Sequence, residues 1–178
     1  MCNIQVDDFA LIPANPEFLR LLVAGDFSSA GQFLNVIVDR GWPHDAEAIE
    51  GLTWHLKALD RDPDELLWRI RLIVLCSTRN VIGAINLKGQ PDESGTVEIG
   101  WGVNQEYRGR GIATRATQLV MQWAFSQPKV KKIIATISLD NVASMQVAER
   151  VGMRKTSYTR RDLPVWEIEK GWLDLKEA

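Results

Sequence analysis

The sequence predicts a mixed α/β (α+β) fold, with a mostly antiparallel central sheet of six to seven strands flanked by helices. Three observations predict it. Apolar residues at helical spacing dominate residues 1–66, branched apolar runs typical of strands begin near residue 68, and strand and helix patterns then alternate. The 178 residues are 46% hydrophobic and 25% charged, which is typical of one globular domain and excludes a disordered or collagen-like chain.

The N-terminal third is predicted to contain one strand and three helices. The strand covers residues 8–12, and the helices cover 16–24, 26–40 and about 45–59, the last capped by Asp45. Each helix has an apolar stripe at spacings of three and four residues, and residues 60–65 form a charged turn.

Six more strands and two helices are predicted after this region. The strands cover residues 68–77, 81–87, 96–103, 132–139, 153–158 and 165–172, and the helices cover 111–126 and 141–151. Alternation in 96–103 places Glu98, Gly100 and Gly102 on one face of that strand. Two missing side chains beside a carboxylate leave room for a substrate there.

The net charge of -2 hides an uneven distribution. Residues 1–66 hold 12 acidic and 4 basic side chains, whereas residues 67–178 hold 11 acidic and 17 basic ones. Different partners for the two parts would explain this split, and so would an uneven draw of surface charges. A pI of about 5.7 argues against nucleic-acid binding.

Several other classes are excluded by local composition. The longest apolar run, Leu72–Cys76, is far shorter than the roughly 18–20 residues that a membrane span needs. No signal peptide is readable, and the two cysteines, Cys2 and Cys76, favour a reducing cytoplasm and exclude a disulfide scaffold. The short apolar run means that we expect no membrane partner. No cluster of side chains has metal-ligand spacing, so we also expect no metal.

The most informative segment is Arg108-Gly109-Arg110-Gly111, which follows a predicted strand and opens a helix. Glycines at a helix start allow the backbone to approach a ligand, and the N–H groups of the first turn suit a phosphate. The segment is neither a Rossmann fingerprint nor a P-loop. Taken alone, it is equally typical of a glycine-rich connector with exposed arginines.

Together with a second block, this segment resembles the GNAT superfamily of acyl-CoA N-acyltransferases. Arg108 to Ala113 match the superfamily's pyrophosphate loop, Arg/Gln-x-x-Gly-x-Gly/Ala. Asn141 and Ser144, followed by Gly152-Met153, resemble its Asn-x-x-Ser…Leu-Gly-Phe element, with methionine in place of phenylalanine. The flanking residues favour the branch of protein N-terminal and ribosomal-protein acetyltransferases.

The resemblance implies a GNAT-type fold and a site for acetyl-CoA as co-substrate. The sheet would splay between the strands at about 96–104 and 132–139, with the pantetheine arm in the wedge. The backbone of Val103 and the side-chain amide of Asn141 would contact that arm. The residues implied to hold the CoA diphosphate through main-chain amides are Arg108, Gly109, Arg110, Gly111, Ile112, Ala113 and Thr114. The single domain, 1–178, would then comprise an acceptor-side helical part (1–66), a CoA-binding core (67–160) and a C-terminal strand (161–178).

The implied reaction moves an acetyl group to an amine, by direct attack in a ternary complex. The acceptor is a protein N-terminal amine or a small-molecule amine, and a homodimer stays open. Ser144 is the candidate donor of a proton to the leaving thiolate, because Ala148 stands where many members have a tyrosine; the alternative is that it only caps or packs its helix. Glu98 is the candidate general base, directly or through water; the alternative is that it pairs with a neighbouring arginine or caps a sheet edge. A catalytically silent CoA-binding sensor or interaction module is the alternative function.

Overall fold

The computed structural model describes residues 4–6, 8–39, 42 and 46–171. Contacts divide the chain into two compact units, Met1–Asn86 with Gly102–Tyr107, and Leu87–Trp101 with Arg108–Ala178. The sequence-based expectations that fall outside the described residues concern Cys2, Asp45 and residues 172–178.

The described residues confirm the mixed α/β class, and most strands in them are antiparallel to their neighbours. All seven predicted strands are present, and β1 is an eighth. The strands are β1 (Ile4–Val6), β2 (Phe9–Pro13), β3 (Ile70–Leu75), β4 (Val81–Leu87), β5 (Thr96–Val103), β6 (Lys132–Thr136), β7 (Arg154–Arg160) and β8 (Leu163–Glu169). The α-helices are α1 (Pro16–Val23), α2 (Phe27–Leu34), α3 (Ala46–Arg61), α4 (Ile112–Ser126) and α5 (Val142–Arg150).

The first unit is built on strands β1 to β4, which lie side by side in chain order and pair antiparallel. Helix α1 packs against α2 and α3. Its buried residues Phe18, Leu19 and Leu22 share one stripe, so the helix places its apolar face on the core. Alternate residues of β3 complete that core from the sheet.

The second unit contains the one parallel pair among the described strands. Strands β5 and β6 run parallel, and β8 lies between β6 and β7 with antiparallel pairing. The β5–β6 register covers only Thr96–Lys132, Val97–Ile133 and Glu98–Ile134, although β5 continues to Val103. The ladder therefore ends where the splay between these two strands was predicted.

One predicted helix is wrong in its second half. Helix α2 ends at Leu34 rather than near residue 40, because Asn35 adopts a left-handed conformation with φ of 52°. The chain then folds back, and the N–H of Val36 donates to the carbonyl of Gly31 at 2.9 Å. A Cβ on Gly31 would lie 2.6 Å from the Val36 carbonyl oxygen, so only glycine allows this close return.

Two predicted strand boundaries also differ from the structure. Trp68 was expected to begin a strand but ends a short 3-10 helix, Pro63–Trp68, which Asp62 caps by accepting from the N–H of Asp64 at 3.0 Å. The strand at 132–139 ends at Thr136, and the chain turns towards α5 soon afterwards. None of the helices in the described part of the chain is long and apolar enough to cross a membrane.

Candidate active site

The segment before α4 has the backbone geometry of an anion site. Gly109 and Gly111 adopt left-handed φ values of 76° and 75°, which side chains rarely accept. A Cβ added at either glycine would meet no atom within 4 Å. The two glycines are thus required by conformation rather than by crowding, and the space above the backbone is open to a ligand.

The start of α4 differs from the other helix starts for which a cap is described. Asn15, Asp26 and Asn141 each accept a hydrogen bond from a first-turn N–H of their helices, at 2.9, 3.0 and 3.0 Å. In the same described residues α4 begins at Gly111 without a side-chain cap. Its first-turn N–H groups and the positive end of its dipole therefore suit an anionic group from outside the chain.

The beginning of α5 places the second predicted block. The Oδ1 atom of Asn141 accepts a hydrogen bond from the backbone N–H of Ser144 at 3.0 Å, so Asn141 caps the helix through its side chain. The side chain of Ser144 is half-buried, and Ala148, one turn further along, is fully buried. Helices α4 and α5 pack against each other, so the two predicted blocks belong to one unit.

Two apolar residues beside Asn141 were missed by the sequence analysis. Leu139 and Val142 are 65% and 55% exposed, although large hydrophobic side chains are usually buried. The signal that could have found them is their apolar character on both sides of a helix cap, where polar residues are usual. Exposed apolar side chains at this position suit a partly apolar ligand arm.

Val103 closes β5 in the first unit. It is buried, with 9% of its surface exposed, and the N–H of the next residue, Asn104, donates to the carbonyl of Ile82 at 2.8 Å. Gly83 faces this strand end so closely that a Cβ would lie 2.2 Å from the Gly102 carbonyl oxygen. The end of β5 is therefore rigidly held by β4.

Glu98 lies in a group of side chains that we call the Glu98 cluster: Lys88, Glu98, Thr136, Arg160 and Arg161. Its Oε1 atom accepts hydrogen bonds from Lys88 Nζ, from Arg161 Nη2 and, at 3.0 Å, from Thr136 Oγ1. Its Oε2 atom lies 3.6 Å from Arg160 Nη1. Only 5% of the Glu98 side chain is exposed, so this carboxylate is buried among cations.

The surroundings keep Glu98 ionised. Burial raises the pKa of Glu98, but the hydrogen bond and charge of Lys88, the hydrogen bond of Thr136 and the charge of Arg161 together outweigh burial and leave the pKa below its ordinary value. A general base works best when its pKa lies near the working pH. The pairing with arginine is thus present, while the role of Glu98 as base stays a prediction.

The turn between β7 and β8 delivers the two arginines. Arg160 pairs with Leu163, so Arg161 and Asp162 form a two-residue hairpin loop. Both have left-handed φ values, 52° and 61°. Such loops favour asparagine, aspartate and glycine at these positions, and an arginine there is unusual. Sequence reasoning missed this contribution, because nothing local connects Arg161 to Glu98.

A mixed sheet with one diverging parallel pair, together with a helix that begins at a glycine and has no side-chain cap, defines a class of domain that can bind a phosphate-bearing cofactor. The chain belongs to the family of the acetyltransferase (GNAT) domain, whose model matches residues 18–154. An uncharacterized N-acetyltransferase from Bacillus subtilis, YjdG, is 28% identical over 111 residues, which cover 62% of this chain and 66% of YjdG. The matched part is thus slightly less than two thirds of that relative.

Solved structures have the same fold across nearly the whole chain. The ribosomal-protein-S5-alanine acetyltransferase from Vibrio fischeri superposes with a TM-score of 0.70 at 15% identity and covers 96% of this chain and 97% of its own. RimL, a ribosomal L7/L12 alpha-N-protein acetyltransferase solved with coenzyme A, has a TM-score of 0.63 at 16% identity and covers 94% and 98%. At these identities the likeness establishes the fold.

Proposed function

We propose that this protein is an N-acetyltransferase that moves an acetyl group from acetyl-CoA to an amine. The observation that carries the proposal is the start of α4, where two left-handed glycines and an uncapped first turn lie open in a chain of the GNAT family. Acetyl-CoA supplies the activated acyl group as a thioester. The chain's own residues bind it, orient it and move protons.

The cofactor residues follow from the two blocks. The main-chain amides from Arg108 to Thr114 hold the diphosphate, and the two arginines of the loop add positive charge. The side-chain amide of Asn141 donates to the cofactor arm while its oxygen caps α5. Leu139 and Val142 cover apolar parts of that arm, and the backbone contact of Val103 with the arm stays a prediction.

The proton transfers are assigned to two side chains. Ser144 protonates the leaving thiolate, because its hydroxyl stands at the start of α5 and the position one turn later is Ala148. Glu98 is the candidate to accept the proton of the incoming ammonium through a water molecule. Its Oε2 atom, which lies 3.6 Å from Arg160 Nη1, has fewer described partners than its Oε1 atom. The cytoplasmic location and the homodimer stay predictions.

The test combines binding with turnover. Coenzyme A at saturating concentration should raise the melting temperature, because it binds the native state. Acetyl-CoA should then release its thiol when amines are added. A shift without thiol release across peptides, polyamines and amino acids would favour a silent CoA-binding module, and no shift at all would contradict both functions.

A further inference from the structure

The Glu98 cluster holds more positive charge than its central carboxylate needs. Lys88, Arg160 and Arg161 surround the single carboxylate of Glu98, and their side chains are 34%, 50% and 55% exposed. The charge of Arg160 also acts on Asp92, whose pKa is lowered first by Ser94 and only last by this arginine. Among the described residues, these three cations are thus shown to act on two carboxylates, Glu98 and Asp92, and the cations are partly exposed while Glu98 is buried.

The hairpin turn holds Arg161 in a conformation that is unusual for an arginine. A left-handed backbone is unfavourable at a non-glycine residue, and glycine or asparagine would form this two-residue turn more easily. Residues in such strained conformations concentrate at functional sites. The sequence instead places an arginine there, and its guanidinium bonds to Glu98, 63 residues away.

The cluster also lies at a defined point of the sheet. Glu98 belongs to the last pair of the parallel β5–β6 ladder, opposite Ile134, and Thr136 ends β6 two residues later. All five members lie in the second unit. A ligand group bound by the exposed arginines would therefore sit where β5 and β6 begin to diverge.

We propose that Lys88, Arg160 and Arg161 bind an anionic oxygen group of the acceptor, a carboxylate or a phosphate, and that Glu98 positions them for it. This inference rests on the proposed function, because it identifies the acceptor as an amine that also carries an anion. Arginine guanidinium groups present a planar set of donors that matches carboxylate and phosphate oxygens. Glu98 uses one Nη atom of Arg161, which leaves further donors for a second anion.

The role of Glu98 changes under this proposal. It is a positioning residue that holds the turn against β5 and β6, and its effect on turnover passes through the arginines. Replacement by glutamine should therefore raise KM for anionic acceptors more than it lowers kcat. If Glu98 were a general base, the replacement would mainly lower kcat. The pH profile of kcat would also lose the change in rate that reports ionisation of the base.

The experiment compares matched acceptors with and without the anion. The carboxylate pair is β-alanine and β-alaninamide, the phosphate pair is phosphoethanolamine and ethanolamine, and a peptide beginning Ser-Glu is paired with one beginning Ser-Gln. Thiol release from acetyl-CoA gives kcat and KM for each. Binding of the same compounds to the CoA-loaded protein is measured by calorimetry, so that a compound that binds without reacting is also detected.

The decisive variant is the double replacement Arg160→Gln and Arg161→Gln. It should raise KM or Kd for the anionic members about 10- to 100-fold, with a much smaller effect on the neutral ones. Arg154→Gln, on the same strand β7 but outside the cluster, is the matched control. The coenzyme A shift in melting temperature should stay unchanged in both variants, which also shows that both are folded.

Each outcome decides the proposal. Preference for the carboxylate or the phosphate member, lost in the double variant, supports it and identifies which anion is bound. Equal use of neutral and anionic acceptors overturns it, and so does an anion preference that survives the double replacement. If coenzyme A binds but no anionic compound binds or reacts, this inference fails while the CoA site stands; if coenzyme A does not bind, the proposed function fails first.

Discussion

The start of α4 and the Glu98 cluster are built in opposite ways. The first is a run of neighbouring residues whose backbone N–H groups and two left-handed glycines are proposed to hold the cofactor. The second joins side chains that are 10, 38 and 63 residues from Glu98 along the chain. A cofactor common to a whole family can be held by backbone, whereas recognition of one acceptor depends on side chains that individual members can exchange.

The sharpest test of the backbone site is Gly111→Glu. A side chain at this φ is strained, and its negative charge would occupy the position assigned to the diphosphate. We expect the coenzyme A shift in melting temperature to disappear, with affinity reduced at least about 100-fold. Thermal shift and calorimetry measure this.

Gly25→Glu is the matched control. Gly25 has a similar φ of 77° and equally open space, but it follows α1 in the first unit. Both variants therefore carry the same backbone strain and the same added charge. If the two bind coenzyme A alike, the assignment of the α4 start is wrong.

These two sites also show what sequence reasoning can reach. The α4 start was predicted because a strand, two glycines and an apolar helix stripe follow each other within a few residues. A site built from neighbouring residues can be recognised from the local sequence. The end of α2 was missed because it depends on the left-handed conformation of Asn35 and on the absence of a side chain at Gly31, which the Val36 carbonyl approaches closely. Of the Glu98 cluster, only a pairing of Glu98 with an arginine was expected, as an open alternative. The other members were missed, since the partners of a buried carboxylate are set by sheet register and by a hairpin far along the chain.

The second test concerns the hydroxyl at the start of α5. Ser144→Ala should lower kcat about 100-fold if the hydroxyl protonates the leaving thiolate, because general acids contribute about 10²- to 10⁴-fold. The Kd for coenzyme A should stay nearly unchanged, because the capping bond uses the backbone N–H of Ser144 rather than its side chain. Ser126→Ala, at the far end of α4, is the control. An unchanged kcat would leave Ser144 with a packing role only.

The third test examines whether the side-chain site is held by charge. The pKa of Glu98 is lowered in the folded protein, so its contribution to stability is present above the unfolded pKa of about 4.3 and is lost as the pH falls through the lower folded pKa. Glu98→Gln keeps the shape and removes the charge. At pH 7 we expect a loss of about 2 kcal/mol in the free energy of unfolding.

This loss should shrink as the pH falls below about 4.3. Urea unfolding of both proteins between pH 3 and pH 7 measures it. Glu149→Gln, an exposed substitution on α5, controls for the general effect of removing a carboxylate. A difference between wild type and Glu98→Gln that persists unchanged at pH 3 would show that the cluster is held by shape rather than by charge.

The test with the smallest expected effect separates two roles of Asn141, one in capping the backbone of α5 and one in contacting the cofactor through its side chain. Its Oδ1 atom stabilises the backbone of α5, and its amide group is assigned to the cofactor arm. Asn141→Asp retains an oxygen for the cap but removes the amide donors, so the free energy of unfolding should change little while affinity for coenzyme A falls about tenfold. Asn141→Ala should lose about 1 kcal/mol of stability as well. If the aspartate variant binds coenzyme A as tightly as the wild type, Asn141 acts only as a helix cap. The cofactor site would then depend mainly on the α4 backbone, with less contribution from side chains. The contrast between the backbone site and the Glu98 cluster would become stronger.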